Sequence, residues 1–377
     1  LLFDDFERTD SSRLKPSETI FQFYNRNARP ESARVRDLLE RAFSEYPESE
    51  RRELIARLRS TAPSQSTSAE FELLLFYMLH RAGYGLTPHP EIANGRSKRP
   101  DFLVTTPGGE RFYLEAVLAN EAIGTKVDGA LVTPLIDKLR DASHPLFQVS
   151  ATIGGYPKTQ PSANRLLRGL LKWLDSLAPD ETPERPTFEW KHEDLRIRFT
   201  ATPLPPEMQR AGVTLLPMYG GEGGWVNTWT GLRDNLRFKA GHYGPLDLPL
   251  VVAANHMSRF FHPEEGTQAL FGPLQMTIDV NDPDDQGRLR HAPDGVWLSP
   301  AGPQYKRLSA VWIFNHLTAS EAAKAAPVLF LNPWANLDVP SEILQFAHGR
   351  VEDEYLVYHD GTRIPALFGV QEGWPES

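Results

Sequence analysis

Apolar residues recur along this chain with two distinct periods. Val35, Leu38, Leu39, Ala42 and Phe43 fall at i, i+3, i+4, i+7 and i+8, one face of a helix. This spacing predicts a helix from Ala33, a break at Tyr46-Pro47, and a second helix from Ser49 to Arg59 with Ser49 as N-cap and Glu53, Arg57 and Arg59 in solvent. Residues 1–30 read as loop around a short apolar patch, and Ser60–Ser68 reads as a linker. The most apolar helix is predicted over Ser68–Ala82, buried through Phe71, Leu74, Leu75, Met78 and Leu79 and stopped by Gly83. Glu72 is the one charge between Phe71 and Leu79, so it must be partnered or face a cleft.

The period then shortens to two. After an extended piece at Leu86–His89, Lys98–Val104 and Arg111–Ala119 read as the strands of a hairpin around Pro107-Gly108-Gly109-Glu110. Helices are predicted over Val127–Ala142, Asn164–Leu177 and Val226–Lys239, with extended runs at Leu146–Ile153, Leu195–Thr202, Leu248–Ala254, Leu308–Asn315, Val328–Leu331 and Glu354–Tyr358. Short strands alternating with helices imply an α/β or α+β protein with a mixed sheet, of which α/β is the expectation taken forward. The Pro- and Glu-rich stretch 178–191 reads as a boundary. The expected organisation is a helical N-terminal extension (1–67), a core (68–178) and a C-terminal α/β region (192–377).

The hairpin carries the candidate chemistry. A two-residue loop, Gly108-Gly109, sets Phe102 opposite Glu115 and turns Asp101 to the other face. A three-residue loop, Pro107-Gly108-Gly109, sets Asp101 opposite Glu115, where the two carboxylates can share one hard cation.

The segments FELLLFYMLHRAGY (71–84), KRPDFLV (98–104) and FYLEAV (112–117) resemble the PD-(D/E)XK, or restriction-endonuclease-like, nuclease superfamily. The resemblance runs from about Ser68 to Ile153. It implies a mixed-sheet core flanked by helices, with Mg²⁺ or Mn²⁺ held by Glu72, Asp101, Glu115 and the Ala116 carbonyl. The implied activity is hydrolysis of phosphodiester bonds in DNA, in a bacterial defence or DNA-processing system with partner subunits. One position departs from the pattern, because Val117 stands where the family carries its lysine. Candidates for a displaced cation are Lys98, Arg99, Lys126, Lys138 and Lys239. Lys239 is preferred, because a helix-borne lysine just before a buried strand can reach the same cleft. The alternative is a catalytically degenerate module that binds DNA or a protein.

Composition narrows these expectations. The 377 residues suggest two domains, and the absence of cysteine excludes disulfides, Cys-ligated metal and thiol catalysis. Any metal must therefore be held by oxygen, with or without histidine. The net charge of −9 excludes a generally basic nucleic-acid binder, so a polyanion needs a local basic strip. Arg96, Lys98 and Arg99, Arg165-Arg168-Lys172, Arg233-Arg237-Lys239 and Lys306-Arg307 are the basic clusters. No apolar run approaches the roughly eighteen residues of a membrane span, and no signal peptide is evident, so a cytoplasmic protein is expected. His256 and His262 with Glu264 match no zinc motif and read as solvated loop residues, and Gly220–Gly224 lacks the Lys-Ser/Thr of a phosphate loop.

Overall fold

The structure is a computed structural model. It describes all residues except 16–17, 93–97, 120–128, 156, 179–185, 206–213, 217, 222–227, 258–262, 278–287 and 377. In chain order the helices are α1 (Ile20–Arg26), α2 (Pro30–Glu45), α3 (Arg51–Leu58), α4 (Pro63–Arg81), α5 (Gly129–Arg140), α6 (Ala163–Leu174), α7 (Thr228–His242), α8 (Pro263–Phe271) and α9 (Ile364–Phe368). The first eight strands are β1 (Gly85–Pro88), β2 (Phe102–Thr105), β3 (Arg111–Ala119), β4 (Phe147–Gly154), β5 (Thr187–His192), β6 (Leu195–Pro203), β7 (Met218–Gly221) and β8 (Leu250–His256). The remaining eight are β9 (Leu274–Thr277), β10 (Arg288–His291), β11 (Leu298–Ser299), β12 (Gly302–Pro303), β13 (Leu308–Asn315), β14 (Val328–Leu331), β15 (His348–Glu352) and β16 (Tyr355–His359).

The chain divides into two compact units. One comprises Leu1–Ser12, Ile20–Ala122 and Asn227–Ser377, and the other Arg13–Thr19 and Ile123–Val226. The expected boundaries are therefore corrected. Residues 1–67 are not a separate extension, since Leu38, Leu39, Leu54 and Leu58 share one core with Phe102 and Leu114. The stretch 178–191 falls inside the second unit, and the expected 68–178 core is cut near Ala122.

The first unit is built on a mixed eight-stranded sheet in the order β1-β2-β3-β8-β13-β14-β15-β16, flanked by helices. Its β3 runs parallel to β8, and β8 parallel to β13. The strand Leu146–Ile153, expected in the same core as the hairpin, lies instead in the second unit as β4. The sequence contains the reason. Over Phe147–Ile153 β4 alternates buried with partly or fully exposed positions, the pattern of a sheet covered on one face, whereas every residue of β8 is buried, as a parallel strand covered on both faces requires. Helices α1–α4 and α9 pack on one face through Phe71, Leu74 and Phe368, and α7 and α8 cover the other through Leu232, Leu236 and Leu270.

Helix α4 begins at Pro63, inside the stretch expected to be a linker. Proline at the first helical turn lacks only an N–H that has no helical partner there. The buried Ser66 donates to the Leu58 carbonyl at 2.8 Å and ties α4 to the end of α3. Gly83 closes the helix at φ +90°, with Tyr84 N–H donating to the Leu79 carbonyl. Further along α4, Glu70 is fully buried, and burial pushes its carboxyl up to about 7 although the Ala319 N–H donates to it.

The second unit carries a four-stranded sheet in the order β5-β6-β4-β7. Its α5 and α6 cover one face through Leu135, Leu139, Leu166 and Leu170, which meet Val149, Ala151, Ile197 and Phe199. Among the described residues no helix is long and apolar enough to cross a membrane.

Candidate active site

The hairpin register decides where the carboxylates lie. Phe102 pairs with Leu114 and Val104 with Phe112, so one more step sets Asp101 across from Glu115. The loop is the three-residue alternative: Thr106 N–H donates to the Glu110 carbonyl, Gly109 N–H to the Thr106 carbonyl, and Gly109 takes the left-handed φ of +92°. Asp101 and Glu115 fall at a non-hydrogen-bonded position, where facing side chains come closest. The next ladder bond would run from Ala116 N–H to Pro100. Asp101 Oδ2 accepts it instead, at 2.7 Å. The strand pair thus ends in a side chain, and Asp101 is fixed by its partner strand's backbone.

Glu115 is buried at 3% exposure, on the face of β3 covered by α7. On α7, Leu232, Leu236 and Ala240 repeat at helical spacing against Val117 and Val252. Lys239 and Tyr243, four residues apart, consequently reach the same point. Lys239 Nζ lies 2.5 Å from Glu115 Oε1, and the Tyr243 hydroxyl donates to Glu115 Oε2 at 2.5 Å. Burial and the Glu115 charge push the Tyr243 phenol far above its ordinary range, so it stays a donor. Val117 packs in the apolar cluster under α7, and a lysine from α7 stands at the carboxylate in its place.

Glu72 is also buried at 3%, and both of its oxygens are engaged. Tyr46, at the end of α2, donates its hydroxyl to Oε1 at 2.9 Å, and Arg57 on α3 meets Oε2 at 2.6 Å. Arg57 is therefore not a solvated residue of its helix, as its position predicted. Arg57→Leu would leave Glu72 buried without its cation and is expected to cost about 3 kcal/mol in urea unfolding. Arg57→Leu with Glu72→Leu should recover most of that loss, and a double variant no better than the single one would show that the pair is not the cause.

Asp101 feels all of these groups. Burial, then Glu115, then Glu72 push its carboxyl up to about 8, while the Ala116 N–H and Lys239 pull it down. Two carboxylates held side by side by the sheet thus remain short of positive charge. Hard oxygen donors with unrelieved like-charge repulsion fit Mg²⁺ or Mn²⁺ at Asp101 and Glu115. Glu72 fits less well as a direct ligand, since Tyr46 and Arg57 draw it aside. Among the described residues, the His and carboxylate group with donor atoms all within 4.8 Å is another one: Glu50, Glu53 and His89. Its acids sit at the start of α3, where the helix dipole favours acidic residues without a metal.

Lys98 and Arg99 are exposed, and Arg99 pairs with Glu91 at 3.0 Å. Lys138 is exposed on α5 of the second unit. His256 is buried in β8 rather than solvated, and Glu264 is exposed in the first turn of α8. Arg96, Lys126, His262 and residues 222–224 lie outside the described residues. Sequence reasoning missed Tyr46, Arg57 and Tyr243 as site residues. Of these, only Tyr243 carried a signal, its spacing of four from Lys239.

Compared with protein-family models, curated proteins and solved structures, the chain matches none.

Proposed function

We propose that this chain is a metal-dependent nuclease of restriction-endonuclease-like type that hydrolyses phosphodiester bonds in DNA. The observation that carries the reading is the lysine. The hairpin lacks the family's lysine at Val117, yet Lys239 Nζ lies 2.5 Å from Glu115. A carboxylate pair with an amine beside it is the minimum set for the reaction.

Asp101 and Glu115 would hold Mg²⁺ or Mn²⁺, with the Ala116 carbonyl beside them. Its N–H points to Asp101, and the carbonyl of a residue at such a ladder position points the same way. The ion, when bound, supplies Lewis-acid polarisation of the phosphate and a more acidic water. Lys239 places a positive charge where the pentacovalent phosphate becomes more negative. Tyr243 holds one Glu115 oxygen and so fixes the carboxylate's orientation. Glu72, aligned by Tyr46 and Arg57, contributes negative potential that orients water or keeps Asp101 attractive to a cation.

The test is plasmid nicking with Mg²⁺ and with Mn²⁺ by the wild type, Asp101→Ala and Glu115→Ala. The wild type should cut and both variants should be silent. Equal cutting by all three would remove the assignment of these residues. A wild type that cuts neither DNA nor RNA would favour the second reading, for which Val117 speaks: a nuclease fold that binds without cleaving.

A further inference from the structure

The residues of that site all belong to the first unit. In the second unit, Ser150, Thr187, Glu189, Lys191, Arg196, Arg198 and Thr202 are exposed on one face of the sheet. Along β4, β5 and β6 the positions facing α5 and α6 are apolar except His192, and those on the opposite face are polar except Gly154. The strand registers assemble that face into rows. Ser150 pairs with Thr200, which pairs with Thr187 on its other side. Thr152 pairs with Arg198, which pairs with Glu189. At the end, Arg196 stands beside Lys191, with Gly154 as its other neighbour. Lys191, Arg196 and Arg198 are all exposed.

We propose that this face binds the phosphodiester backbone of double-stranded nucleic acid. Three cations are held at sheet spacing, about 4.8 Å between strands and about 6.6 Å along one strand. Hydroxyls fill the adjoining rows. Lysine, arginine, serine and threonine are the side chains that ordinarily meet phosphate oxygens. The face lacks the apolar centre of a protein interface on these three strands. Among the described residues of these strands it also presents no aromatic ring, because Phe188 and Trp190 turn to the helix side, where Phe188 stacks on Trp173. A single strand would want rings on which to stack its bases. A duplex backbone needs only charge and hydroxyls. For a chain of net charge −9, such a local array is what lets a polyanion approach.

Glu189, the one acid that β4, β5 and β6 place on this face, sets the sign of a sharper test. Glu189 lies 2.9 Å from Lys191 and 3.7 Å from Arg198 and neutralises part of the array. Removing it should therefore tighten binding, an effect that misfolding cannot imitate. The probe is a fluorescently labelled DNA duplex of mixed sequence, titrated with the full chain in EDTA over a series of salt concentrations. Glu189→Gln should bind several-fold more tightly. Lys191→Gln/Arg196→Gln/Arg198→Gln should bind at least tenfold more weakly, with a log–log salt slope shallower by about 2–3. As a control, Arg165→Gln/Arg168→Gln/Lys172→Gln removes the same charge from exposed positions on α6 and should bind within about twofold of wild type. Sheet variants that bind like the wild type, or helix variants that lose as much as the sheet variants, would overturn the proposal. A labelled single strand binding as tightly as the duplex would overturn the duplex assignment. All readouts are binding without divalent metal, so none depends on whether the chain cleaves.

Discussion

Replacing Asp101 with asparagine should abolish DNA cleavage and at the same time make the chain harder to unfold. The two effects share one cause. Asp101 is held against Glu115 by the hairpin register, and burial and neighbouring charge push its carboxyl up to about 8. In the unfolded chain the same carboxyl ionises near its ordinary value of 3.8. Between these values the folded state binds more protons than the unfolded one. Stability contributed at this position is therefore complete below about pH 4 and falls as pH rises towards about 8. Asparagine keeps an oxygen for the Ala116 N–H and removes the titration. Without metal, Asp101→Asn should gain up to a few kcal/mol over wild type at pH 8 and little at pH 4. Under the nuclease reading, cleavage should drop by about a thousandfold or more, because a bound cation would lose one of the two carboxylates that would hold it. Thermal unfolding in EDTA at both pH values, beside a cleavage assay, reads both effects. A variant less stable than wild type at pH 8 would mean that Asp101 is a structural acid, satisfied in its place.

The second large effect concerns Lys239. Lys239→Ala should reduce cleavage by about a hundredfold to a thousandfold, the range seen when one preorganised charge-stabilising group is lost. Metal affinity should move the other way. The ammonium shares Glu115 Oε1 with any incoming cation, so its removal should strengthen Mn²⁺ binding measured calorimetrically. A lysine that merely braced the helix would show neither signature in that combination. Weaker metal binding together with lower activity would mean that Lys239 only shapes Glu115. Lys239→Arg should keep the charge yet recover little activity, because a planar guanidinium replaces a compact ammonium.

These centres were legible in the sequence to unequal degrees. The α4 stripe and the hairpin were plain from their periods, and the three-residue loop alternative already set Asp101 against Glu115. The link from Glu115 to Lys239 was legible only as a shortlist. The partners of Glu72 were hidden. Tyr46 looked like a helix terminator, and Arg57 like one more solvated charge, because a helix face facing a neighbour's buried acid has the same sequence pattern as one facing water. Tyr243 lies 128 residues from Glu115, and no local pattern spans that distance. The strand order misled for a similar reason. Sequence proximity grouped residues 146–153 with the hairpin in one core, and only the unbroken apolar run of β8 marked the central position.

The second unit also imposes an order of assembly. It separates β3 from α7, so the lysine that compensates Glu115 emerges 124 residues after it. At ribosomal rates of about 5–20 residues per second, that is a wait of roughly 6–25 seconds. During that time the hairpin has no β8 to pair with, and its two acids have no ammonium between them and solvent. A nascent chain stopped between residues 115 and 239 carries both carboxylates without the lysine that meets Glu115. Under the nuclease reading, an interrupted round of synthesis cannot release a fragment able to cut the cell's own DNA.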